Sequence, residues 1–152
     1  MEIKALKNKP DFTQDKKKAD KYAGFGKLLT TLRERDVPES IVSDINAEID
    51  TLNRFSGSNK DFSKQLRKSK SAILKVVEKE LNWVAQNHYQ HTWMALGMTV
   101  FGLPFGAIFG MSMDNMAFLG IGLPIGMAIG IAIGTSMDSK AKEEGRQLAV
   151  DA

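Results

Sequence analysis

The fold is decided by residues 93–137, which read WMALGMTVFGLPFGAIFGMSMDNMAFLGIGLPIGMAIGIAIGTSM. The 152-residue chain has 21 Lys and Arg and 18 Asp and Glu, yet Asp114 is the only one of these between Thr92 and Met137. A small soluble domain cannot be covered by a surface with so few charges. The stretch therefore predicts a segment that lies in a membrane.

Two runs inside this stretch are each long enough to cross a bilayer. Residues 93–111 and 119–137 carry no charge, and a helix of 19 residues spans roughly 28 Å, close to the ~30 Å hydrocarbon core. The connector, residues 112–118, holds Asp114 beside Asn115, which is typical of a turn. We expect an all-α fold with a two-span membrane helical hairpin over residues 92–137 and a tail over 138–152. The alternative is a hairpin buried inside a soluble oligomer.

An internal repeat runs through both spans. GLPFGAIFG at residues 102–110 recurs as GLPIGMAIG at 122–130, and both copies continue to a Ser-Met-Asp at 112–114 and 136–138. Glycines at four-residue steps form a row along which two helix backbones can approach closely. The pattern predicts a glycine zipper made of Gly102, Gly106, Gly110, Gly122, Gly126, Gly130 and Gly134. Folding the hairpin at residue 116 pairs Gly110 with Gly122, Gly106 with Gly126 and Gly102 with Gly130.

Two prolines occupy equivalent places in the repeat. Pro104 and Pro124 each lack a backbone N–H and leave a carbonyl one turn earlier without its helical donor. The sequence predicts a mild kink at each. We interpret both as packing kinks; the alternative is a hinge or a pore-lining bend.

Residues 1–91 carry the basic charge of the chain, with 18 Lys and Arg against 13 Asp and Glu. The first 18 residues contain no apolar run, so we expect no signal peptide. The absence of Cys excludes disulfides and thiolate metal sites. Basic residues precede the first span, whereas the 112–118 connector has none. The positive-inside rule therefore predicts a multi-pass protein of the inner membrane with both termini in the cytoplasm.

Apolar spacing predicts that residues 1–91 form a small helical cytoplasmic region. A first helix covers about residues 16–35, and a second begins at Pro38. A third opens with Ser58 and Asp61 as a capping box. The expected core positions are Tyr22, Phe25, Leu29, Leu32, Ile41, Ile45, Ile49, Leu52, Leu66, Ile73, Val77, Leu81 and Val84. Since no Pro or Gly separates the third helix from the first span, we expect one long juxtamembrane helix over residues 59–111, and no strand.

Aromatic rings cluster where the first span begins. Trp83, Tyr89 and Trp93 are expected as interface anchors, because amphipathic rings collect at the headgroup level of a membrane. His88 and His91 have a spacing that could hold a metal, but no Cys or nearby carboxylate completes a ligand set. The sequence therefore favours anchoring and predicts neither a metal nor a cofactor.

The basic residues of the third helix are the candidate lipid contacts. We expect Lys64, Arg67, Lys68 and Lys70 to contact anionic headgroups. We expect the same of the lysines at 16–18 and of Lys21. A solvated face is the alternative, and nucleic acid is not an expected partner. Asp114 is interpreted as a solvated turn residue rather than an ion carrier. The expected partners are membrane lipid, further copies of the chain and a protein whose identity the sequence does not give.

Three segments carry a resemblance to known proteins. MALGMTVFGLPFG at 94–106, NMAFLGIGLPIG at 115–126 and KEEGRQL at 142–148 resemble small, uncharacterised bacterial glycine-zipper proteins with two spans in the inner membrane. The resemblance implies such a hairpin and supplies no catalytic residue. The spans are also similar to the proteolipid subunit of rotary ATPases, but here the second span lacks a carboxylate and the connector lacks Arg-Gln-Pro.

The sequence thus favours a non-enzymatic membrane protein, since it shows no nucleophile set, phosphate loop or paired acids. We expect it to self-associate through its glycine faces and to present a basic helical domain to lipid or to a partner. The alternative is a small channel or membrane-perturbing effector whose zipper helices line a pore.

Overall fold

A computed structural model describes residues 1–9, 12 and 15–151, apart from the side chains of Met116 and Leu119. The chain is mostly helical and divides into two compact units. The helical unit contains Met1–Val84 together with Leu148–Val150. The hairpin unit contains Ala85–Gln147 and Asp151.

Three amphipathic helices build the helical unit: α1 (Lys16–Arg33), α2 (Glu39–Asn53) and α3 (Asn59–Leu81). Each buries the apolar stripe that its spacing predicts, so these three helices are confirmed. The predicted core residues that are buried are Phe25, Leu29, Leu32, Ile41, Ile45, Ile49, Leu52, Leu66, Ile73, Val77 and Val84. Tyr22 and Leu81 are half-buried.

The start of α3 pairs Ser58 with Asp61, as the sequence predicts. The Ser58 hydroxyl oxygen accepts the Asp61 N–H at 3.2 Å, and the Ser58 hydroxyl donates to the Asp61 carboxylate at 2.6 Å. The first of these bonds satisfies a helix N–H that has no partner inside the helix.

The prediction of one long juxtamembrane helix over residues 59–111 is wrong. Helix α3 ends at Leu81, and Asn82 and Asn87 both adopt the left-handed backbone conformation, with φ of 55° and 57°. Asparagine enters this region more easily than other side chains, so it breaks a helix without Gly or Pro. Helix α4 begins at His88.

The expectation that the chain has no strand is also wrong. Between the two asparagines lies β1 (Val84–Gln86), which pairs with β2 (Gln147–Asp151). Val84 is buried in the helical unit with Leu148 and Val150 of β2. A three-residue strand is too short to show an alternating pattern, so it could not be predicted from periodicity.

The hairpin unit contains the two apolar segments. The first runs through α4 (His88–Gly97), a π-helical turn (Met98–Gly102) and α5 (Leu103–Ser112). A short 3₁₀ turn (Met116–Phe118) then leads into α6 (Leu119–Glu143). Asp114, exposed and at φ 50°, lies in the turn between them.

Both segments are long and apolar enough to cross a membrane. They cover His88–Ser112 and Gly120–Glu143, with 25 and 24 residues. At 1.5 Å per residue these lengths are roughly 37 and 36 Å, more than the ~30 Å hydrocarbon core requires.

Candidate membrane-spanning hairpin

Glycines line the surface along which the two apolar helices meet. All seven predicted zipper glycines are buried. A Cβ added to Gly122 would lie 2.6 Å from the Gly106 Cα, and one added to Gly126 would lie 2.7 Å from the Gly102 Cα. No side chain fits at such distances, so the close approach of the backbones requires glycine. Gly120, on the same helix, has no atom within 4 Å of its Cβ position.

The register differs by about one helical turn from the predicted pairing. Gly122 lies against Gly106 instead of Gly110, and Gly126 lies against Gly102 instead of Gly106. The predicted pairing assumed that the chain reverses direction at residue 116. In the structure the 3₁₀ turn at Met116–Phe118 extends the second helix backwards, so the chain folds about Asp114.

Beyond the glycines of the first helix, the row continues on larger residues. The Cβ position of Gly130 lies 3.0 Å from the Met94 Cα and closer still to the Trp93 carbonyl. That of Gly134 lies 2.7 Å from the Gln90 nitrogen. At Gly134 the glycine of α6 provides the space by itself.

Gly97 belongs to the same contact surface, and the sequence analysis missed it. Its Cβ position lies 2.8 Å from the Gly130 Cα. Gly97 precedes Gly102 by five residues, which in a regular α-helix would place the two glycines on different faces. The π-helical turn Met98–Gly102 contains one extra residue, and this brings both glycines onto one face.

The two prolines of the repeat have different surroundings. Pro104 follows the π-helical turn, where the Leu103 N–H donates to the Met98 carbonyl five residues earlier. A π-bulge is one of the ways in which a helix accommodates a proline. Pro124 lies inside α6, which is α-helical throughout. The two copies of the sequence repeat therefore differ in backbone conformation.

The faces that point away from the glycines carry large apolar side chains. Val100 is 57% exposed, Ile108 58% and Ile121 49%. Further exposed members are Leu96, Leu103, Phe105, Phe109, Met111, Leu123 and Ile125. In each of the two membrane-length helices, only 22% of the apolar 18-residue stretch is buried, whereas a core helix of a soluble protein is mostly buried. An apolar surface of this extent marks contact with a membrane or a partner.

Asp138 fastens the open end of the hairpin unit. It is only 6% exposed, and its carboxylate accepts the N–H groups of Tyr89 at 3.1 Å and Gln90 at 2.9 Å. The side chain of Asn87, the residue at the α4 N-cap, makes no capping hydrogen bond, so Asp138 caps this helix from α6. This role of Asp138 was not predicted, although the repeated Ser-Met-Asp at 136–138 marks the position.

Comparison with known proteins gives no family assignment. No family model matches the chain, and no curated protein or solved structure shows a significant match. A functional assignment therefore rests on the geometry described here.

The predicted anchor residues are divided between the units. Tyr89 and Trp93 are half-buried at the start of the first apolar helix, whereas Trp83 belongs to the helical unit and carries Arg35 4.8 Å from its ring centre. Hydrogen bonds to Glu144 and then to Tyr89 raise the pKa of the Arg146 guanidinium.

His88 and His91 lie in the first turns of α4. The His88 ring meets the edge of Tyr89, with 5.1 Å between ring centres. Within residues 1–9, 12 and 15–151, no three His, Cys, Asp or Glu side chains come together as a ligand group.

The predicted lipid contacts lie on α3. Lys64, Arg67 and Lys68 are exposed there, and Lys70 is half-buried. The Lys64 ammonium lies 3.9 Å from Asp61. An exposed pair at this distance is weak, so it leaves Lys64 able to bind an anion.

Proposed function

We propose that the chain is a non-enzymatic integral protein of the bacterial inner membrane. Its two spans form a glycine-zipper hairpin, and its helical unit is presented to lipid headgroups or to a protein partner. The observation that carries this proposal is the distribution of side chains in the hairpin unit. Glycines face inward, and large apolar side chains face outward. This arrangement is costly in water, whereas lipid tails are as apolar as the side chains they touch.

The close approach of the backbones supports a zipper that acts within one chain. Dispersion contacts and Cα–H···O contacts hold helices together where the hydrophobic effect does not. The rows already contact each other, so we assign them to the hairpin itself. Self-association through the same rows would have to break these contacts, and we therefore propose that copies associate through the outward apolar faces.

The same packing favours a close-packed hairpin rather than a pore. The Thr99 hydroxyl, one of few polar groups in the spans, donates to carbonyls of its own helix, Leu96 at 3.0 Å and Ala95 at 3.3 Å. A conducting path needs polar groups that are turned toward water.

We propose an orientation with both termini in the cytoplasm, on the basis of the basic residues that precede the first span. Tyr89 and Trp93 then lie at the cytoplasmic headgroup level. We also propose that Lys64, Arg67 and Lys68 contact an anionic leaflet, where each basic residue gains about 1 kcal/mol. This assignment agrees with the resemblance to small bacterial glycine-zipper proteins.

Membrane extraction and reporter fusions test the proposal. After an alkaline carbonate wash, the chain should stay in the membrane pellet of the cells that express it. A fluorescent protein fused after the last residue should be fluorescent, and alkaline phosphatase fused there should be inactive. Release by carbonate would refute the integral hairpin, and an active phosphatase would refute the orientation.

A further inference from the structure

Residues 1–9 are held against α1 and α2 by side chains that bind their backbone. Asn46 on α2 accepts the Lys4 N–H at 2.7 Å and donates to the Glu2 carbonyl at 3.0 Å. About two helical turns further along α2, Asn53 accepts the Lys7 N–H at 2.8 Å and donates to the Ala5 carbonyl at 3.1 Å. Each side-chain amide thus makes a paired contact with an extended backbone, as a neighbouring strand does.

The spacing of the two amides matches an extended peptide. Asn46 and Asn53 are seven residues apart, so they lie on one face of α2 about 10.5 Å from each other. The backbone groups that they bind repeat after three residues, which in an extended chain cover roughly 9–10 Å. Each amide brackets one apolar side chain, Ile3 or Leu6. Ile3 is only 8% exposed.

Further donors complete the site. Arg33 on α1 donates from Nε to the Ile3 carbonyl at 3.1 Å and from Nη2 to the Lys4 carbonyl at 2.7 Å. The Tyr22 hydroxyl donates to the Lys7 carbonyl at 2.6 Å. All these bonds go to the main chain, which every peptide has. With the segment in place, Asn46 is only 6% exposed.

Selectivity comes from two side chains of the bound segment. Ile3 is buried, and the Lys4 ammonium donates to the Asp50 carboxylate at 2.6 Å. This hydrogen bond lowers the pKa of Asp50. Peptide-binding sites that work by backbone addition divide the task in the same way: main-chain bonds give affinity, and pockets for particular side chains give specificity.

We propose that Arg33, Asn46 and Asn53 form a binding site for an extended segment of another polypeptide. That segment has apolar residues three positions apart and a lysine after the first of them. In this structure the chain's own residues 2–7 occupy the site. Because they are tethered, they compete at a high effective concentration and keep the site closed to weak ligands. The proposal gives the class of protein partner that the proposed function leaves open, but it depends only on the helical unit.

A peptide in trans tests the site. The probe is a fluorescein-labelled peptide with the sequence of residues 1–9, MEIKALKNK, added to the purified 152-residue chain in detergent. Ile3→Asp in the chain should release its own segment, because a carboxylate is not tolerated in the buried position. Fluorescence polarisation should then show at least tenfold tighter peptide binding than to the unchanged chain. Hydrogen exchange at Lys4 and Lys7 reports the release.

Matched variants on α2 identify the site. Added to Ile3→Asp, Asn53→Ala should weaken peptide binding about tenfold, whereas Thr51→Ala should leave it unchanged, since Thr51 bonds only the Ala47 carbonyl of its own helix. If Ile3→Asp unfolds the helical unit, Ile3→Ser replaces it in the same comparison.

Three results would overturn the proposal: no peptide binding by a chain whose segment is released, equal binding with and without the Asn53 amide, or a segment that stays bound despite the change at Ile3. None of them would affect carbonate resistance of the hairpin, so a failure here is distinct from a failure of the proposed membrane role.

Discussion

Adding a single methyl group at Gly126 should force the two apolar helices apart. The new Cβ would lie 2.5 Å from the Gly102 nitrogen and 2.7 Å from its Cα. Ordinary contacts between such atoms are about 3.5–4.0 Å, so the backbones must separate by about 1 Å. A gap of this size loses a quarter to a half of each dispersion well of about 0.1–0.2 kcal/mol. Over some tens of atom pairs the loss is about 2 kcal/mol, roughly a thirtyfold change in the unfolding equilibrium.

Gly120→Ala is the matched control, because nothing lies within 4 Å of its Cβ position. Alanine favours a helix over glycine by about 1 kcal/mol at either position, so the difference between the two variants isolates the helix contact. Gly126→Ile should have a larger effect than Gly126→Ala. Ile125→Leu, on a side chain that is 39% exposed, should be nearly silent.

The assay is unfolding of the hairpin in mixed micelles of a mild detergent and SDS. Dyes on Thr92→Cys and Ser139→Cys, both exposed positions near the open end, report separation by energy transfer. Gly126→Ala should unfold at a lower SDS fraction than the parent, and Gly120→Ala should not. If both variants shift equally, the glycine row is not the packing surface.

Three further changes test other parts of the structure. Asp138→Ala should speed amide exchange in the first turn of α4 and destabilise the hairpin by about 1–2 kcal/mol, whereas Glu143→Ala, exposed on the same helix, should not. Val77→Asp places a charge at a fully buried site, so it should lower the Tm of the helical unit by many degrees without affecting membrane retention; Lys75→Asp, exposed, should change little. Asn82→Val should cost about 1–2 kcal/mol in thermal unfolding because of its φ of 55°, and Asn82→Gly should be tolerated.

The amphipathic helices could be predicted because their periodicity is local. The apolar stripe of α2, for example, follows from the spacing of four residues: Ile41, Ile45, Ile49 and Leu52. All four are buried in the structure. The two apolar segments were equally accessible to prediction, because length and lack of charge are properties of one segment at a time.

Features that depend on a second segment could not be predicted in the same way. The glycine register depends on a 3₁₀ turn that shifts the fold point to Asp114, and Gly97 joins the row only because of a π-helical turn. The break at Asn82 comes from a modest conformational preference that usually yields to helix formation. The role of Asp138 appears only when α6 lies beside the start of α4.

The binding of residues 1–9 has the same origin. Asn46 and Asn53 are spaced like any two polar residues on an exposed helix face, and nothing in their own segment shows that they bind a backbone more than 40 residues away. Contacts between distant segments are set by tertiary packing, which a periodic pattern does not encode.

The most direct test of the membrane hairpin uses the absence of Cys from the chain. Single-cysteine variants Ser71→Cys, Ser112→Cys and Ala128→Cys each replace a residue that is exposed in the fold. An impermeant maleimide should label Ser112→Cys in intact spheroplasts and Ser71→Cys only after lysis. Ala128→Cys should remain unlabelled until SDS is added, because we expect lipid to cover it. Labelling of Ala128→Cys in lysed membranes as fast as Ser71→Cys would contradict the membrane hairpin.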